Sequence, residues 1–345
     1  MKKYKVGILG ATGTVGQRFI QLLQDHPQFE ITALAASDRS AGKSYEEACA
    51  WKLSGDIPED VRDIVVQPIE PPLDCDIIFS SLPSSVARET EEAFARAGYP
   101  VISNSSCYRM DEDVPLLIPE INADHLGLIE TQQNKRGFGK GFIVTNPNCA
   151  VASFAPPLAA LHEKFGVEEV IVTTLQAISG AGYPGVSAID IADNVLPYIA
   201  GEEPKVETEA QKILGKFKEG SIVKADFTVS AQCFRVNVID GHTASVRVRL
   251  KKPSTLEEVV AAMSSYKSLD LYSSPEHFIV VTDQPSRPQP RLDRGRGGGM
   301  TITVGRVFPD NIFDYRFVSL SHNTVRGAAG STILNAELLI DRGII

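Results

Sequence analysis

A strand, a glycine turn and a helix open the chain, and this order constrains the fold more than any other feature. The apolar, β-branched run YKVGILG ends at the glycine turn GATGTVG, and VGQRFIQLLQDHP follows with helical apolar spacing and a proline stop. Further strands are predicted in FEITALAAS, DIVVQPI, CDIIFSSLP, YPVISNSS and GFIVTNPN, with a helix in SVARETEEAFARAG. Strands that alternate with helices predict an α/β fold with a Rossmann-type, doubly wound parallel sheet.

The pattern changes beyond Ala150. Strand-like segments now come with few helices between them: EEVIVTTLQAISG, FTVSAQCFRVNVIDG, HTASVRVRLKKP, HFIVVTDQP and MTITVGRVFPD. They predict a second, α+β domain with a mostly antiparallel sheet. The last segment, TVRGAAGSTILNAELLIDRG, returns to helical spacing and is apolar enough to need cover from the first domain. We therefore expect residues 1–148 plus 323–345 to form a dinucleotide-binding Rossmann domain, and residues 149–322 to form a catalytic and oligomerisation domain.

Length and charge narrow the function classes. With 345 residues and 43% hydrophobic content, the chain is long enough for two cores. A formal net charge of −9 argues against nucleic-acid or anionic-membrane partners, because a protein that binds phosphate-rich surfaces needs an excess of Lys and Arg. No apolar run approaches the roughly 18 residues of a membrane span, and MKKYKVGILG lacks the pattern of a signal peptide. We expect a small-molecule substrate.

The cysteines bear on the compartment. There are 5 of them, an odd number, and they are widely separated without a CxxC pair or a close Cys/His spacing. This pattern predicts free thiols in a reducing cytoplasm and argues against a metal site.

Glycines at the end of the first strand predict a dinucleotide site. Gly10, Gly13 and Gly16 lie where missing Cβ atoms allow a pyrophosphate to approach the backbone and the N-terminal N–H groups of the helix. Their spacing, GxxGxxG, is looser than the GxGxxG fingerprint, and a tight βα turn without a ligand is the structural alternative. The position directly after the first strand favours the cofactor. The predicted contacts in this turn are Gly10, Thr12, Gly13, Thr14 and Val15.

The end of the second predicted strand bears on the choice of cofactor. NAD sites usually offer an acidic residue to the ribose 2′-hydroxyl, whereas NADP needs Arg and hydroxyl groups around its 2′-phosphate. In AASDRSAGK the residues that suit a phosphate are Ser37, Arg39, Ser40 and Lys43. Asp38 keeps NAD as an alternative. We expect NADP.

One cysteine lies where a nucleophile is expected. Cys149 follows an Asn-Pro-Asn turn in TNPNCAVASFAPP and comes at the start of an apolar helix. The positive end of a helix dipole lowers the pKa of a thiol and raises its thiolate fraction. A small buried residue that closes a turn is the structural alternative, but Cys149 falls between the two predicted domains, where clefts form. Pro156 and Pro157 predict a kinked or late-starting helix.

A catalytic thiol of this kind calls for a histidine. A thiol beside a nicotinamide suggests aldehyde oxidation through a thiohemiacetal and a thioester, or the reverse, and this chemistry needs a proton acceptor. His242, directly after an Asp-Gly turn, is the best placed candidate, although a structural histidine is the alternative and His322 is the second choice. Arg235 lies 7 residues before His242, and this odd spacing predicts opposite faces unless the turn breaks the register.

Six blocks together carry a resemblance to a known family. They are GATGTVG, SNSSCYR, NPNC, LQAISGAG, EEPK and FRVNVIDGHT, and they extend over essentially the whole chain. In order and spacing they resemble aspartate-semialdehyde dehydrogenase, and NPNC and DGHT resemble its archaeal and fungal branch. The resemblance implies NADPH-dependent reduction of L-4-aspartyl phosphate to L-aspartate 4-semialdehyde, with release of phosphate, in the synthesis of lysine, methionine and threonine. It also implies a homodimer or a homotetramer.

The same resemblance assigns roles to individual residues. Cys149 becomes the nucleophile that displaces phosphate, His242 the acid/base for the thiol and the tetrahedral intermediate, and Gln176 the residue that orients this intermediate. Arg235 is implied to bind the substrate carboxylate and Glu202 its amino group, which agrees with the chemistry of a guanidinium and of a carboxylate. Phosphate is assigned to Asn104, Arg109, Asn148 and Lys205, and the nicotinamide half of the cofactor to Ser179, Gly180 and Asn323.

Three alternative functions compete with this interpretation. Malonyl-CoA reductase resembles the archaeal branch and shares the cysteine, the histidine and NADPH, but its substrate has no ammonium group for Glu202. N-acetyl-glutamyl-phosphate reductase has the same chemistry with a Gly-Cys-Tyr motif in place of Asn-Cys-Ala. The third alternative is a regulator that binds NADPH and catalyses nothing. It would not explain why a thiol lies at a helix N-terminus. For the oligomer, GGGMTITVGRVFPD is a candidate strand face for self-association.

Overall fold

The computed structural model describes residues 3–345. Within this range no helix is long and apolar enough to cross a membrane. Two large sheets organise the chain, and a third sheet consists of a single short hairpin.

The first sheet has five parallel strands, as the alternating pattern predicts. They are β1 (Tyr4–Leu9), β2 (Phe29–Ala35), β3 (Ile77–Ser80), β4 (Pro100–Ser103) and β5 (Phe142–Thr145). Their order in the sheet is β2-β1-β3-β4-β5. Every residue of β3, β4 and β5 is buried, as expected for parallel strands that are covered on both faces. The Rossmann-type, doubly wound fold is confirmed.

Helices cover both faces of this sheet. They are α1 (Thr14–Leu23), α2 (Tyr45–Ala48), α3 (Glu59–Arg62), α4 (Ser84–Arg96), α5 (Pro119–Asn122) and α6 (Leu128–Arg136), with a 3-10 turn at Ala123–Gly127. The strand predicted in DIVVQPI is wrong, because this segment makes only isolated bridges at Val65 and Gln67. Pro68 follows directly and has no N–H group with which to extend a ladder.

The second sheet is mixed, with antiparallel pairs in the majority. Beyond β5 the strands are β6 (Val167–Gln176), β7 (Val195–Leu196), β8 (Lys216–Lys218), β9 (Ser221–Val223), β10 (Thr228–Val236), β11 (His242–Leu250), β12 (Ile279–Thr282), β13 (Ile302–Pro309) and β14 (Tyr315–Ser321). Seven of them lie in the order β12-β13-β14-β11-β6-β10-β7, while β8 and β9 form the separate hairpin. The β6–β10 and β12–β13 pairs are parallel, and the others in the large sheet are antiparallel.

Helices pack on one face of the second sheet and leave the other face open. The remaining helices are α7 (Val151–Phe165), α8 (Ala188–Ile191), α9 (Glu203–Ile213), α10 (Leu256–Ser264), α11 (Pro290–Asp293) and α12 (Gly330–Asp341), with 3-10 turns at Ile178–Ala181 and Arg296–Gly299 and a π-helical turn at Val325–Ala329. Helices α7, α9 and α10 form the core with the sheet. On the opposite face, Ile171 and Leu175 of β6 are 39% and 38% exposed.

Helix α7 does not start late. It begins at Val151 and continues through Pro156 and Pro157 to Phe165. Each proline removes one N–H group from the helix and would destabilise an exposed helix. Both prolines are buried here, together with nearly all of α7, so apolar burial offsets the lost hydrogen bonds.

Helix α12 returns to the first sheet, as its apolar sequence predicts. Ile333, Ala336 and Leu339 share one buried cluster with residues of β1 and β3. The π-helical turn before α12 also reaches the segment after β5: a Cβ atom on Gly327 would lie 2.7 Å from the Cβ atom of Cys149. The chain passes between the two large sheets after β5 and again before α12. These two segments therefore meet beside Cys149.

A buried ion pair joins the π-helical turn to α5. Arg326 donates to the two carboxylate oxygens of Glu120 at 2.8 and 2.6 Å, and the side chains are only 1% and 0% exposed. The guanidinium carbon also lies 4.6 Å from the centre of the Phe278 ring. Two parallel hydrogen bonds and the aromatic face satisfy charges that would be costly to bury alone.

Arg326→Met is expected to lower the free energy of unfolding by about 3–5 kcal/mol, because it leaves the Glu120 carboxylate buried without its partner. Adding Glu120→Leu should recover part of the loss, since no charge then stays buried. Urea unfolding of the three proteins tests this, with the exposed Arg342→Met as the matched control. Equal midpoints for Arg326→Met and Arg342→Met would show that the pair contributes no stability.

Candidate active site

The carboxyl end of β5 leads to the predicted nucleophile. Strand β5 ends at Thr145, and the Asn-Pro-Asn turn carries the chain to Cys149, just before α7. Asn148 holds this turn: its Oδ1 accepts hydrogen bonds from the amides of Ala150 at 2.8 Å and Val151 at 3.3 Å. An asparagine that bonds the backbone just after itself fixes the local chain direction, so the turn determines where the sulfur lies.

His242 lies against the sulfur. Its Nε2 is 3.1 Å from Cys149 Sγ. The other ring nitrogen, Nδ1, accepts a hydrogen bond from the backbone N–H of Ala177 at 3.0 Å. Because a backbone N–H can only donate, Nδ1 is unprotonated, and the neutral imidazole carries its proton on Nε2. The ring therefore presents an N–H group to the sulfur.

Burial keeps both members of this pair neutral. It raises the pKa of the Cys149 thiol to about 12, and the charge of Glu202 acts in the same direction. It lowers the pKa of His242 to about 3, with Arg235 acting in the same direction. The expectation that the helix dipole lowers the pKa of the thiol is wrong for the free protein, because desolvation of the sulfur outweighs the effect of the helix N-terminus.

Three predicted site residues lie in one row across neighbouring strands. Arg235 of β10 is opposite Gln176 of β6. On the other side of β6, Thr243 of β11 pairs with Leu175. Because these strands are antiparallel, the residue before Thr243, His242, lies beside Gln176. Residues opposite each other point to the same face of a sheet, so all three face the site. The Asp-Gly turn separates β10 from β11 and breaks the register, which is the alternative that the spacing left open, so Arg235 and His242 share a face.

The turn after β6 closes over this row. Arg235 Nη1 donates to the carbonyl oxygen of Ala177 at 2.7 Å, so the backbone of one residue bonds both Arg235 and His242. A Cβ atom on Gly180 would lie 2.9 Å from Arg235 Nη1 and 3.0 Å from His242 Cε1. A side chain here would have to displace the Arg235 guanidinium or the His242 ring, so glycine lets the turn approach both groups in the positions they hold.

Glu202 brings a carboxylate to the same site. The residue is 6% exposed, and its Oε1 accepts hydrogen bonds from Gln176 Nε2 at 3.0 Å and from Asn148 Nδ2 at 2.8 Å. Lys205, one helical turn further on, contacts Oε2 at 3.3 Å. A carboxylate, an amide and an ammonium group thus surround the turn that carries the nucleophile.

Arg109 reaches the site from the loop after β4. Its Nη1 donates to Glu209 Oε1 at 3.0 Å and its Nη2 to the carbonyl oxygen of Asn104 at 2.8 Å. The Nε atom is buried without a hydrogen-bond partner among residues 3–345. The second oxygen of Glu209 accepts from the backbone N–H of Asn148 at 2.6 Å. A cation that is only 7% exposed therefore lies close to the turn that carries Cys149.

Glu209 is a residue of this site that the sequence analysis missed. A signal for it exists in the spacing, because charges of alternating sign recur every three or four residues along α9 and so share one helix face. The residues with this spacing are Glu202, Lys205, Glu209 and Lys212. An acidic helix start normally indicates an exposed face, whereas Glu209 and Lys212 are 1% and 2% exposed.

The two asparagines assigned to phosphate have other partners. Asn104 Nδ2 donates to Thr332 Oγ1 at 3.0 Å, and its Oδ1 accepts from Asn146 Nδ2 at 2.9 Å. Asn148 uses its Oδ1 in the turn before α7 and its Nδ2 on Glu202. Their contacts do not support the assignment of these side chains to phosphate, and the groups suited to meet an anion are the cationic ones.

The glycine turn has the properties expected of a dinucleotide cradle. Gly10 has a φ of +77°, a conformation that favours glycine. A Cβ atom on Gly16 would collide with the carbonyl oxygen of Gly10. Gly13 precedes α1 without a side-chain cap, which leaves N-terminal N–H groups for a ligand. Three further predicted contacts in this turn are partly exposed: Thr12, Thr14 and Val15.

The end of β2 lies beside this cradle, because amides of the glycine turn donate to the carbonyl oxygen of Ala35. Ser37 and Arg39 follow and are exposed, whereas Ser40 is buried. Lys43 Nζ donates to the carbonyl oxygen of Arg39 at 2.8 Å. Arg39 is therefore an exposed residue just after β2, at the edge of the sheet where a bound ribose is expected.

Asn323 joins two loops of the site. Its Nδ2 donates to Ser179 Oγ at 2.7 Å, and its Oδ1 accepts from the backbone N–H of Gly241 at 2.8 Å. It thereby links the turn after β6 to the Asp-Gly turn before β11. The histidine that contacts the sulfur is His242, the first choice, and not its alternative His322.

Comparisons with known sequences find matches over nearly the whole chain. The chain matches the family models "Semialdehyde dehydrogenase, NAD binding domain" over residues 5–129 and "Semialdehyde dehydrogenase, dimerisation domain" over residues 158–326. The aspartate-semialdehyde dehydrogenase of Archaeoglobus fulgidus is 54% identical, over 99% of this chain and 100% of the relative. That of Aspergillus fumigatus is 51% identical, over 99% of each chain.

Solved structures give the same relationship. The aspartate semialdehyde dehydrogenase of Candida albicans, crystallised with NADP, has a TM-score of 0.91 and 45% identity and covers 100% of both chains. Aspartate semialdehyde dehydrogenase II of Vibrio cholerae, complexed with ASA, has a TM-score of 0.80 and 26% identity over 99% of each chain.

Alkylation of Cys149 by iodoacetamide is expected to be slow in the free protein near neutral pH and to rise about tenfold per pH unit into the alkaline range. The reason is that a thiol with a pKa of about 12 gains thiolate in that proportion. Mass spectrometry of the Cys149 peptide measures the rate, and the Cys107 peptide serves as the internal control, since burial also raises the pKa of that thiol. A rate that is constant from weakly acidic to weakly alkaline pH would reveal a thiolate–imidazolium pair instead.

Proposed function

The chain belongs to the aspartate-semialdehyde dehydrogenase family, and from this premise we propose that Cys149 carries the acyl group in the family's reaction. That reaction is the NADPH-dependent reduction of L-4-aspartyl phosphate to L-aspartate 4-semialdehyde with release of phosphate, a step in the synthesis of lysine, methionine and threonine. One observation supports this role above all: Cys149 Sγ lies 3.1 Å from His242 Nε2, where the two sheets meet.

The substrate is oriented by two opposite charges. Arg235 binds the α-carboxylate of the aspartyl group, since a guanidinium offers two parallel N–H donors to a carboxylate. Glu202 binds its ammonium group. Both side chains lie with Gln176 in the site, so the substrate backbone is held while its side-chain acyl group reaches the sulfur. Malonyl-CoA has no ammonium group and would leave Glu202 without this partner.

Acyl transfer needs no net proton uptake by the protein. Attack by the Cys149 sulfur forms the C–S bond and breaks the C–O bond to phosphate, and the thiol proton leaves with the phosphate group. The Nε2–H group of His242 donates a hydrogen bond to the sulfur as negative charge develops there. Arg109 and Lys205 offset the charge of the leaving phosphate.

Bound NADPH supplies the hydride that reduces the resulting thioester. His242 Nε2–H then stabilises the negative oxygen of the tetrahedral intermediate, whose orientation Gln176 fixes. Breakage of the C–S bond releases the aldehyde and a thiolate, which takes up a proton. For His242 to accept a proton at Nε2, its ring proton must move to Nδ1, and this breaks the hydrogen bond from Ala177. The neutral ring is therefore best suited to act as a donor.

The same proposal covers the cofactor site and the domain boundaries. The glycine turn binds the pyrophosphate, and Arg39 with its neighbouring serines favours the 2′-phosphate of NADP over NAD. The nicotinamide half is assigned to Ser179, Gly180 and Asn323. Residues 1–148 plus 323–345 form the cofactor domain, and residues 149–322 form the catalytic domain. Five free cysteines fit an enzyme of the cytoplasm.

The open face of the second sheet is the surface that we assign to a homodimer. It is formed by outward-facing residues of β6, among them Ile171 and Leu175, with their neighbours on β10 and β11. The register places Arg247 beside Ile171 and Phe234 beside Leu175. This surface lies within the part of the chain that matches the dimerisation domain, and its exposed apolar residues suit the centre of an interface. Self-association through this face is favoured over the β13 segment GGGMTITVGRVFPD alone.

Cys149→Ser is expected to abolish turnover and to retain NADP binding, because serine is a far weaker nucleophile while the glycine turn is unchanged. Phosphate-dependent NADP reduction with aspartate semialdehyde measures turnover, and fluorescence titration measures binding. Malonyl-CoA and NAD are assayed in parallel. Turnover by the serine variant would refute the covalent route, and turnover of malonyl-CoA in place of the semialdehyde would refute the substrate assignment.

Ile171→Lys is expected to convert the dimer to a monomer, because it buries two like charges at a two-fold interface. Size-exclusion chromatography with light scattering gives the mass of each protein. The matched control is Ile312→Lys, which changes an exposed isoleucine in the loop between β13 and β14. A dimeric Ile171→Lys protein would place the interface on another surface.

A further inference from the structure

Helix α9 presents a stripe of charges to the first domain that substrate binding does not fully explain. Glu202 and Lys205 at its start have roles in the proposed function. Glu209 and Lys212, two and three turns further on, have none, yet they are 1% and 2% exposed. Buried charges are costly unless their partners are well placed, so the partners of these two residues indicate what they do.

The Glu209 carboxylate has two partners, and both belong to the reaction site. One oxygen accepts from Arg109 Nη1 at 3.0 Å, and the other accepts from the backbone N–H of Asn148 at 2.6 Å. The first partner is the cation assigned to phosphate, and the second directly precedes Cys149. A single carboxylate therefore connects the phosphate site to the nucleophile turn.

Lys212 holds the backbone of the same arginine. Its Nζ donates to the carbonyl oxygens of Arg109 at 2.8 Å, of Asp111 at 2.7 Å and of Val114 at 2.7 Å. Three carbonyl acceptors use all the donors of an ammonium group. Helix α9 thus fixes Arg109 at both ends, its backbone through Lys212 and its guanidinium through Glu209.

We propose that Glu209 is a positioning residue that fixes the Arg109 guanidinium for the phosphate of the substrate. The proposal rests on the phosphate-binding role of Arg109 given above. With Nη1 held by Glu209 and Nη2 by the Asn104 carbonyl oxygen, the plane of the guanidinium is set before the substrate arrives. Glu209 does not touch the substrate, because a carboxylate in contact with phosphate would repel it.

A positioning role and a merely structural role predict changes in different kinetic constants. If Glu209 only stabilised α9, its loss would lower stability and affect all substrates alike. If it orients Arg109, its loss weakens phosphate binding selectively, because the carboxylate and ammonium of the semialdehyde are bound by Arg235 and Glu202.

The test is a kinetic comparison in the direction that consumes phosphate, with wild type, Glu209→Gln, Arg109→Ala and the double variant. Glutamine retains the shape of the side chain but can serve only one of the two donors with its single carbonyl oxygen. We expect the KM for phosphate to rise about tenfold or more in Glu209→Gln, with the KM for semialdehyde and for NADP changed less than about twofold. The phosphate KM of the double variant should be no higher than that of Arg109→Ala, since Glu209 acts on phosphate binding through Arg109.

Glu207→Gln is the matched control. Glu207 lies on the same helix and accepts a hydrogen bond from the backbone N–H of Ala231 at 3.1 Å, so it makes the same kind of contact away from Arg109. Its phosphate KM should equal that of wild type. If Glu209→Gln does not fold, Glu209→Asp keeps the charge, withdraws it from Arg109 by one methylene, and is judged by the same criterion.

The outcomes separate the two proposals. An unchanged phosphate KM in Arg109→Ala would refute the phosphate role of Arg109 itself. A raised phosphate KM in Arg109→Ala with an unchanged value in Glu209→Gln would refute the positioning role alone. An equal rise of all three KM values in Glu209→Gln would also overturn the positioning role. So would a phosphate KM in the double variant that is much higher than in Arg109→Ala.

Discussion

The site depends on how the protein holds Asn148. Its backbone N–H donates to Glu209, its Nδ2 donates to Glu202, and its Oδ1 accepts from the first amides after Cys149. The two carboxylates belong to the start and the middle of α9, whereas Asn148 ends the segment that leaves the first sheet. Cys149, the proposed nucleophile, is the next residue, so its position follows from contacts between this segment and α9.

Desolvation decides the electrostatics of this arrangement. Cys149 and His242 rest as a neutral pair, because burial opposes charge on each of them. Arg235 adds to this effect on His242, and on Cys149 burial outweighs the nearby arginines and the helix N-terminus. The charges of the site are carried instead by Arg109, Arg235 and Glu202, which have fixed partners. In a poorly hydrated site such preorganised groups act strongly on a charged substrate. In the proposed reaction the thiol therefore becomes a nucleophile only when the substrate is present.

Sequence patterns predicted the parts of this structure that depend on local chemistry. The glycine turn, most strands of the first sheet and the place of Cys149 before a helix follow from neighbours in the chain, since glycine, β-branched runs and helix starts have local causes. The relation between Arg235 and His242 did not follow, because it depends on a strand, β6, that lies between β10 and β11 in space and before both in sequence. Glu209 was missed for a similar reason: its partners Arg109 and Asn148 are 100 and 61 residues earlier in the chain, and only the fold shows that this acidic helix face is buried. The thiol pKa was predicted with the wrong sign, since burial is a property of the whole fold.

Strand β6 links catalysis to the proposed assembly. Gln176 points to the site with Arg235 and His242, while Leu175, one residue earlier, points to the open face. Because successive side chains of a strand alternate between faces, a slip of one residue in this register would exchange the two sets. A partner that covers the open face would pack directly behind the row that we propose to bind the substrate carboxylate. The surface assigned to the dimer therefore supports the strand on which three site residues depend. Loss of the partner should affect the geometry of that row before it affects the glycine turn, because the glycine turn lies on the other sheet.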